Sequence, residues 1–226
     1  MGTDTHGAGD AREGARTGGS ALSREAFAAA ALEFIDANGA DALTLRALGN
    51  AMGVHYTAVY RYFPGKDELI EAALAHMLEQ SGVSIPESGT PRERLLALLR
   101  ELRAAFAAHP GMALPNLTAQ DEQATAAFVR GGLHLLEQMG LSGRHLVVAY
   151  QMLEDFHVGK TAYDFGDSPA ALERRMRGRR LVGHPAMDEV SRSLDDMQAV
   201  NDEAFEIAAG ALLDACEAMA TRATGA

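Results

Sequence analysis

Residues 53–66, GVHYTAVYRYFPGK, gather three tyrosines, a threonine, an arginine and a lysine in one short stretch that stops at Pro-Gly. Side chains of these types suit a polyanion. Tyrosine and threonine hydroxyls donate to phosphate oxygens, a threonine methyl or tyrosine ring fits a thymine methyl, and Arg61 can reach a guanine edge or a phosphate. Signals for covalent or metal chemistry are weaker. The chain has no HExxH, no paired cysteine ligands, no glycine-rich phosphate loop and no serine motif, and its eight histidines do not converge by spacing. Glu154, Asp155 and His157 are near enough in sequence to consider a metal, but polar neighbours at that helical spacing more often face solvent. The expectation is no enzyme, no cofactor and no metal site.

Holding these side chains on one surface requires short helices. Ser23 can cap a first helix with Phe27, Ala30, Ala31 and Phe34 on its inner face and Gly39 as terminator. Thr44 can cap a second, carrying Leu45, Leu48, Gly49 and Met52 and broken by Gly53. A third is expected from about His55 to Phe63, ending at Pro64, although His55 is a poor N-cap and fraying or a borrowed cap is expected there. A longer fourth follows FPGKDEL with Ile70, Ala73, Leu74 and Met77 as its stripe. Gly53 permits a positive φ in the turn, and Gly49 lets the third helix come close. With Leu45, Leu48, Met52, Val54, Val59 and Phe63 inside, Tyr56, Thr57, Tyr60 and Arg61 are left facing out. Thr44 and Lys66, each at a helix start, can hold phosphates on either side. Three helices in this order form a helix-turn-helix unit.

The stretch LTLRALGNAMGVHYTAVYRYFPGKDELIEAAL, residues 43–74, resembles the DNA-binding region of the tetracycline-repressor (TetR) family of bacterial transcriptional regulators. Thr44, Arg46, Gly53, Val54, Tyr60, Phe63 and Lys66 carry the likeness as a linked set. The resemblance implies that Tyr56, Thr57 and Ala58 read bases, while Thr44, Tyr60, Tyr62 and Lys66 grip phosphates. Departures are His55 where Ser is usual, Val59 for Leu, and Tyr62 where His is frequent. Beyond residue 78 the likeness is one of helix order. It implies an all-α protein with an N-terminal helix-turn-helix domain at 23–80 and a C-terminal helical effector-binding and dimerisation domain at 91–222; the stretch before them, rich in Gly, Ala, Thr and charge with no large apolar residue between Met1 and Leu22, is expected to be a disordered tail at 1–22.

The C-terminal pattern is helical throughout. SGVSIPESGT at 81–90 marks a seam, and Thr90-Pro91-Arg92-Glu93 reads as a capping box opening a helix with Leu95, Leu98, Leu99, Leu102 and Phe106. Further helices fit about 112–117, 121–139 and 143–164, a shorter one from near Pro185, and a last one over about 202–221; Gly140 can end one and Ser142 cap the next. A cavity among these helices would draw on Phe106, Phe128, His134, Met139, Tyr150, Met152 and Asp155, polar or polarisable members of apolar faces. For dimerisation the resemblance points to the segments around Gly159 and Ala162 and around Phe205, Ala208, Ala209, Leu212 and Cys216. The small residues of the latter also suit close helix packing. The arginine-rich run at 173–180 could bind an anionic effector or nucleic acid, but a solvated loop balancing nearby acids is the expectation.

Composition bounds the partners. Hydrophobic residues make up 47% and charged residues 23%, with a single cysteine, no leader pattern and no apolar run of membrane-spanning length, so a cytoplasmic protein is expected. The net charge of -11 runs against a nucleic-acid partner, and residues 23–80 hold only four basic against eight acidic side chains. Any DNA contact must therefore use a local patch. The leading expectation is a homodimeric regulator on a palindromic operator with a small-molecule effector. The alternative is a non-DNA-binding small-molecule carrier or protein-interaction module on the same fold.

Overall fold

The computed structural model describes residues 22–113, 122–166 and 169–224. The expected tail lies outside them apart from Leu22, as does most of the expected helix at 112–117; residues 110–112 form a single 3-10 turn instead. Ten α-helices make up the described residues, with no strand among them: α1 Arg24–Asn38, α2 Leu45–Ala51, α3 Tyr56–Tyr60, α4 Lys66–Gln80, α5 Pro91–Ala108, α6 Glu122–Gln138, α7 Gly143–Phe165, α8 Pro169–Leu181, α9 Pro185–Val190 and α10 Leu194–Thr224.

Several ends are set by the residues the sequence offers for them. Ser23 Oγ accepts the Ala26 N–H at 3.1 Å, and Thr44 Oγ1 accepts that of Ala47 at 3.0 Å. Thr90 and Glu93 close the capping box over Pro91. Ser142 sits at the cap of α7, but its side chain makes no capping bond.

The apolar stripes of α1 and α4 turn out rotated from the expected ones. On α1 the buried residues are Phe27, Ala28, Ala31, Leu32 and Ile35, with Ala30 and Phe34 only half-covered. On α4 Leu69, Ala72 and Leu78 are buried beside Ala73, Leu74 and Met77, whereas Ile70 is partly exposed. Both helices are covered from more than one side, since α1 meets α4 and also the turn at 110–112. Gly111 makes that second contact possible: a Cβ there would lie 2.9 Å from the Ile35 carbonyl oxygen.

Two clusters form the interior. One joins α1 to α4 and takes in Ala105, Phe106 and Met112 from the far side of the seam. The other holds Leu95, Leu98, Leu99, Leu135, Leu136, Leu153, Phe205, Ala209, Leu213 and Cys216. Val83, Leu102 and Phe128 touch both. The seam at 81–90 is thus a loop over an interior that the two clusters share.

Ion pairs fix α5 against α10. Arg92 meets Asp214, Arg100 Nε meets Glu206 Oε1 at 2.9 Å, and Arg103 Nη2 meets Asp202 Oδ1 at 2.7 Å. The partner numbers fall as those on α5 rise, so the two helices run antiparallel. The C-terminal helix also begins at Leu194, two turns before its expected start. The arginine run at 173–180 is a correction to the expected loop, because it lies within α8. There the Arg175 guanidinium stands 4.0 Å over the Tyr163 ring and donates to the Tyr163 carbonyl, so part of the run is tied to α7.

Candidate nucleic-acid interface and ligand cavity

Gly53 has φ 67°, and Gly49 faces the chain so closely that a Cβ would lie 3.1 Å from Tyr56 Cα and from the Val54 carbonyl oxygen. These two glycines set the turn between α2 and α3 and hold the helices in contact. Val59 and Phe63 are fully buried beneath, which leaves Thr57, Tyr60 and Arg61 exposed and Tyr56 half-exposed.

The helix that carries them is shorter than expected, one turn and a half from Tyr56 to Tyr60. His55 does act as its cap: Nδ1 lies 2.9 Å from Thr57 Oγ1 and accepts the Thr57 N–H at 3.5 Å, a long bond. Its ring also rests on that of Tyr56, centroids 4.4 Å apart, and Tyr56 meets Tyr60 edge to face at 6.0 Å. The Arg46 guanidinium lies 5.1 Å from the Tyr56 ring centroid, which brings a cation from α2 beside the exposed side of α3.

Around this rod sit the groups expected to grip phosphates. Thr44 is exposed, and since its oxygen accepts from Ala47, its hydroxyl proton remains available to donate. Lys66 opens α4 next to the uncapped backbone N–H groups after Gly65, with Nζ 3.5 Å from the Asp41 carbonyl. Tyr60 is 54% exposed. Tyr62 differs: its ring packs on Phe27 at 5.3 Å and its hydroxyl donates to the Leu22 carbonyl at 2.9 Å. In this structure that proton fastens the start of α1. Ala58 is half-buried against the core rather than free on the reading face.

Behind the reading unit, a cavity of about 200 Å³ lies among α4, α5, α6 and α7. Phe106, Phe128 and Tyr150 line it as expected. The other four expected residues do not. His134 and Asp155 are exposed on their helices, Met139 packs towards the second core, and Met152 lies off the lining face of α7. The lining face of α7 is instead the series Tyr150, Leu153, Glu154 and His157, at i, i+3, i+4 and i+7. The sequence held this signal, since Tyr150 and His157 are two turns apart on one stripe. Burial holds the His157 imidazole neutral, with its pKa lowered to about 4, and the nearby Arg103 charge adds to the shift.

The expected dimer residues divide. Phe205, Ala209 and Cys216 are sealed inside the subunit, because the α10 face that carries them is the one packed on α5 and α7. Leu212 packs partly on the same core, and Ala208 is half-exposed. Gly159 faces open space, and Ala162 is half-exposed. The outer face of α10 shows Val200, Ala204, Ile207, Ala211 and Ala218, with Ile207 66% exposed.

A short helix presented outward by a glycine turn, with phosphate-seeking groups at two flanking helix starts, is the geometry of a helix-turn-helix module on an all-α scaffold. Residues 28–73 match the family model described as bacterial regulatory proteins, tetR family, and residues 85–219 match the tetracyclin repressor-like C-terminal domain. The chain belongs to the TetR family.

Among its relatives is the HTH-type transcriptional repressor DrrR1 of Streptomyces coeruleorubidus, 29% identical over 136 residues that cover 58% of this chain and 49% of that protein. The chain spans about half the length of the first such relatives it matches. A solved structure of a possible TetR family transcriptional regulator from Streptomyces coelicolor A3(2) superposes with TM-score 0.72 at 28% identity, covering 87% of this chain and 99% of that one. ActR of Streptomyces coelicolor, solved in complex with (S)-DNPA, shares the fold at TM-score 0.63 and 21% identity, over 87% and 100% of the two chains. These relatives are regulators and not enzymes, and no helix among the described residues is long and apolar enough to cross a membrane.

Proposed function

We propose that the chain is a ligand-responsive transcriptional regulator, acting as a repressor that binds a near-palindromic DNA operator as a homodimer and leaves it when a small molecule fills the cavity. One observation carries this reading: Tyr56, Thr57, Tyr60 and Arg61 face outward from a buried support, between Thr44 and Lys66. The net negative charge is compatible because the contact surface is local, and Arg46 and Arg61 are both exposed on it.

The second copy meets the first through the outer face of α10 and the Gly159 side of α7. A helix with Ala204, Ile207, Ala211 and Ala218 towards its partner allows close approach, and dimerisation presents two reading helices to one duplex.

Release runs through Leu78. This residue is buried in the core that supports the reading unit and also forms part of the cavity wall. A ligand that displaces it shifts α4 and, with it, the helix-turn-helix. A coupling of about 1–3 kcal/mol lowers operator affinity about 5- to 150-fold. Selection of bound sites from a random DNA pool tests the reading. Two inverted half-sites about one helical turn apart support it, and recovery without sequence preference contradicts it.

A further inference from the structure

We infer that the cavity between α4 and α7 takes an amphipathic organic cation, an apolar body bearing a protonated amine, with the ammonium seated on Glu154. The inference rests on the effector role proposed above for this cavity.

The wall is almost wholly aliphatic and aromatic, with Leu95, Leu98, Leu102, Phe106 and Phe128 among its members. Among the described residues, polar groups enter from α7 alone: Tyr150, Glu154 and His157. Each of them offers an acceptor. The Tyr150 hydroxyl spends its proton on Glu154 Oε1 at 2.9 Å, which leaves its oxygen to accept. Among the described residues, Glu154 Oε2 receives only the Gln151 amide, at 3.3 Å. Both recorded partners of this carboxylate are neutral, and it has no ion-pair partner among the described residues. His157 is 9% exposed, and its Nδ1 is buried without a hydrogen-bond partner. In the Nε2–H tautomer this nitrogen is a third acceptor.

Three acceptors, one of them a carboxylate without a cation, against an otherwise apolar wall are complementary to a donor that carries positive charge. An ammonium supplies up to three N–H donors and the missing charge at once. A carboxylate ligand would meet Glu154 as a like charge, and the one unspent donor on this wall, the His157 Nε2–H, does not offset that repulsion. A neutral alcohol satisfies one acceptor and leaves the charge unpaired. The size fits a small body, since an apolar cavity of roughly 150 Å³ accommodates a benzene ring and this one is about 200 Å³.

Calorimetric titration of the full chain, without DNA and at neutral pH, with phenylbutylamine, phenylbutanol and phenylbutyrate separates these cases. The expected order is amine first, alcohol weaker and carboxylate undetected. Glu154→Gln, checked for an unchanged melting temperature, is expected to weaken the amine about 10- to 100-fold and leave the alcohol as it was. The order of the three probes on the unaltered protein decides the matter even if the variant does not fold. Carboxylate bound as tightly as amine, equal amine affinity in Glu154→Gln, or no heat from any probe overturns the inference. Amine binding that leaves a DNA complex intact upholds it and contradicts the release mechanism instead.

Discussion

Gly49 in α2 and Tyr56 in α3 approach so closely that a Cβ on the glycine would stand 3.1 Å from the Tyr56 Cα. The atoms it would meet belong to the backbone, so no side chain can move aside. Gly49→Ala is expected to cost about 1–3 kcal/mol of stability by overpacking and to tilt the reading helix on its support. Urea unfolding measures the first effect and DNA binding of the folded fraction the second. Gly53→Ala should cost about 1–2 kcal/mol through its left-handed backbone, with φ at 67°. An unchanged unfolding midpoint in both variants would contradict this account of the turn.

Deeper in the chain, Arg103 Nη1 donates to Asp164 Oδ2 at 2.5 Å, and its guanidinium lies 4.9 Å from the Phe165 ring centroid and 4.8 Å from that of Phe205. The Asp164 side chain is fully buried and also receives Lys160. Arg103→Met removes one cation and leaves Asp164 under-compensated, with an expected loss of about 3 kcal/mol. The double variant Arg103→Met, Asp164→Leu removes the buried carboxylate too and should regain much of that loss. Thermal or urea unfolding of the three proteins checks the order.

His157 gives the fold a pH dependence of known sign. Its folded pKa is lowered to about 4 from an ordinary 6.5, so between these values the unfolded chain binds more protons than the folded one. Stability at His157 is therefore complete above pH ~6.5 and is lost on acidification towards ~4, by up to about 3 kcal/mol. His157→Phe, which keeps a ring beside Phe106, is expected to flatten that part of the stability profile. An equal acid dependence in the variant would contradict the assignment.

Ile207 is 66% exposed and makes little contribution to the subunit's own core. Ile207→Glu is expected to leave the fold intact but to give monomers in sedimentation, because a charge at the centre of an apolar dimer face lacks a partner. Unaltered sedimentation would place the dimer face elsewhere.

The N-terminal half was largely legible in the sequence because its devices are local. A glycine turn, caps at Ser23 and Thr44, and buried Val59 and Phe63 act within a few residues of one another. What sequence could not show was where long-range covering falls. The second contact on α1, through Gly111, widened its buried stripe, and the packing of Tyr62 on Phe27 took its hydroxyl from the reading surface. The face of α10 turned into the subunit was hidden for a similar reason. Both faces are rich in small apolar residues, and only the position of α5 and α7 decides that Phe205, Ala209 and Cys216 point inward. In the cavity, Glu154 and His157 lie on the same stripe as Tyr150, but polarity alone suggested solvent for both.

The central claim is that the face formed by Tyr56, Thr57, Tyr60 and Arg61 reads DNA. Fluorescence anisotropy with a selected site and a scrambled duplex, over a series of salt concentrations, tests it most directly. The unaltered protein should prefer the selected site and lose affinity steeply with salt, while a folded Tyr56→Ala, Thr57→Ala double variant should keep the salt dependence and lose the preference. Equal preference in the variant, or salt-insensitive binding by the unaltered protein, would contradict the claim.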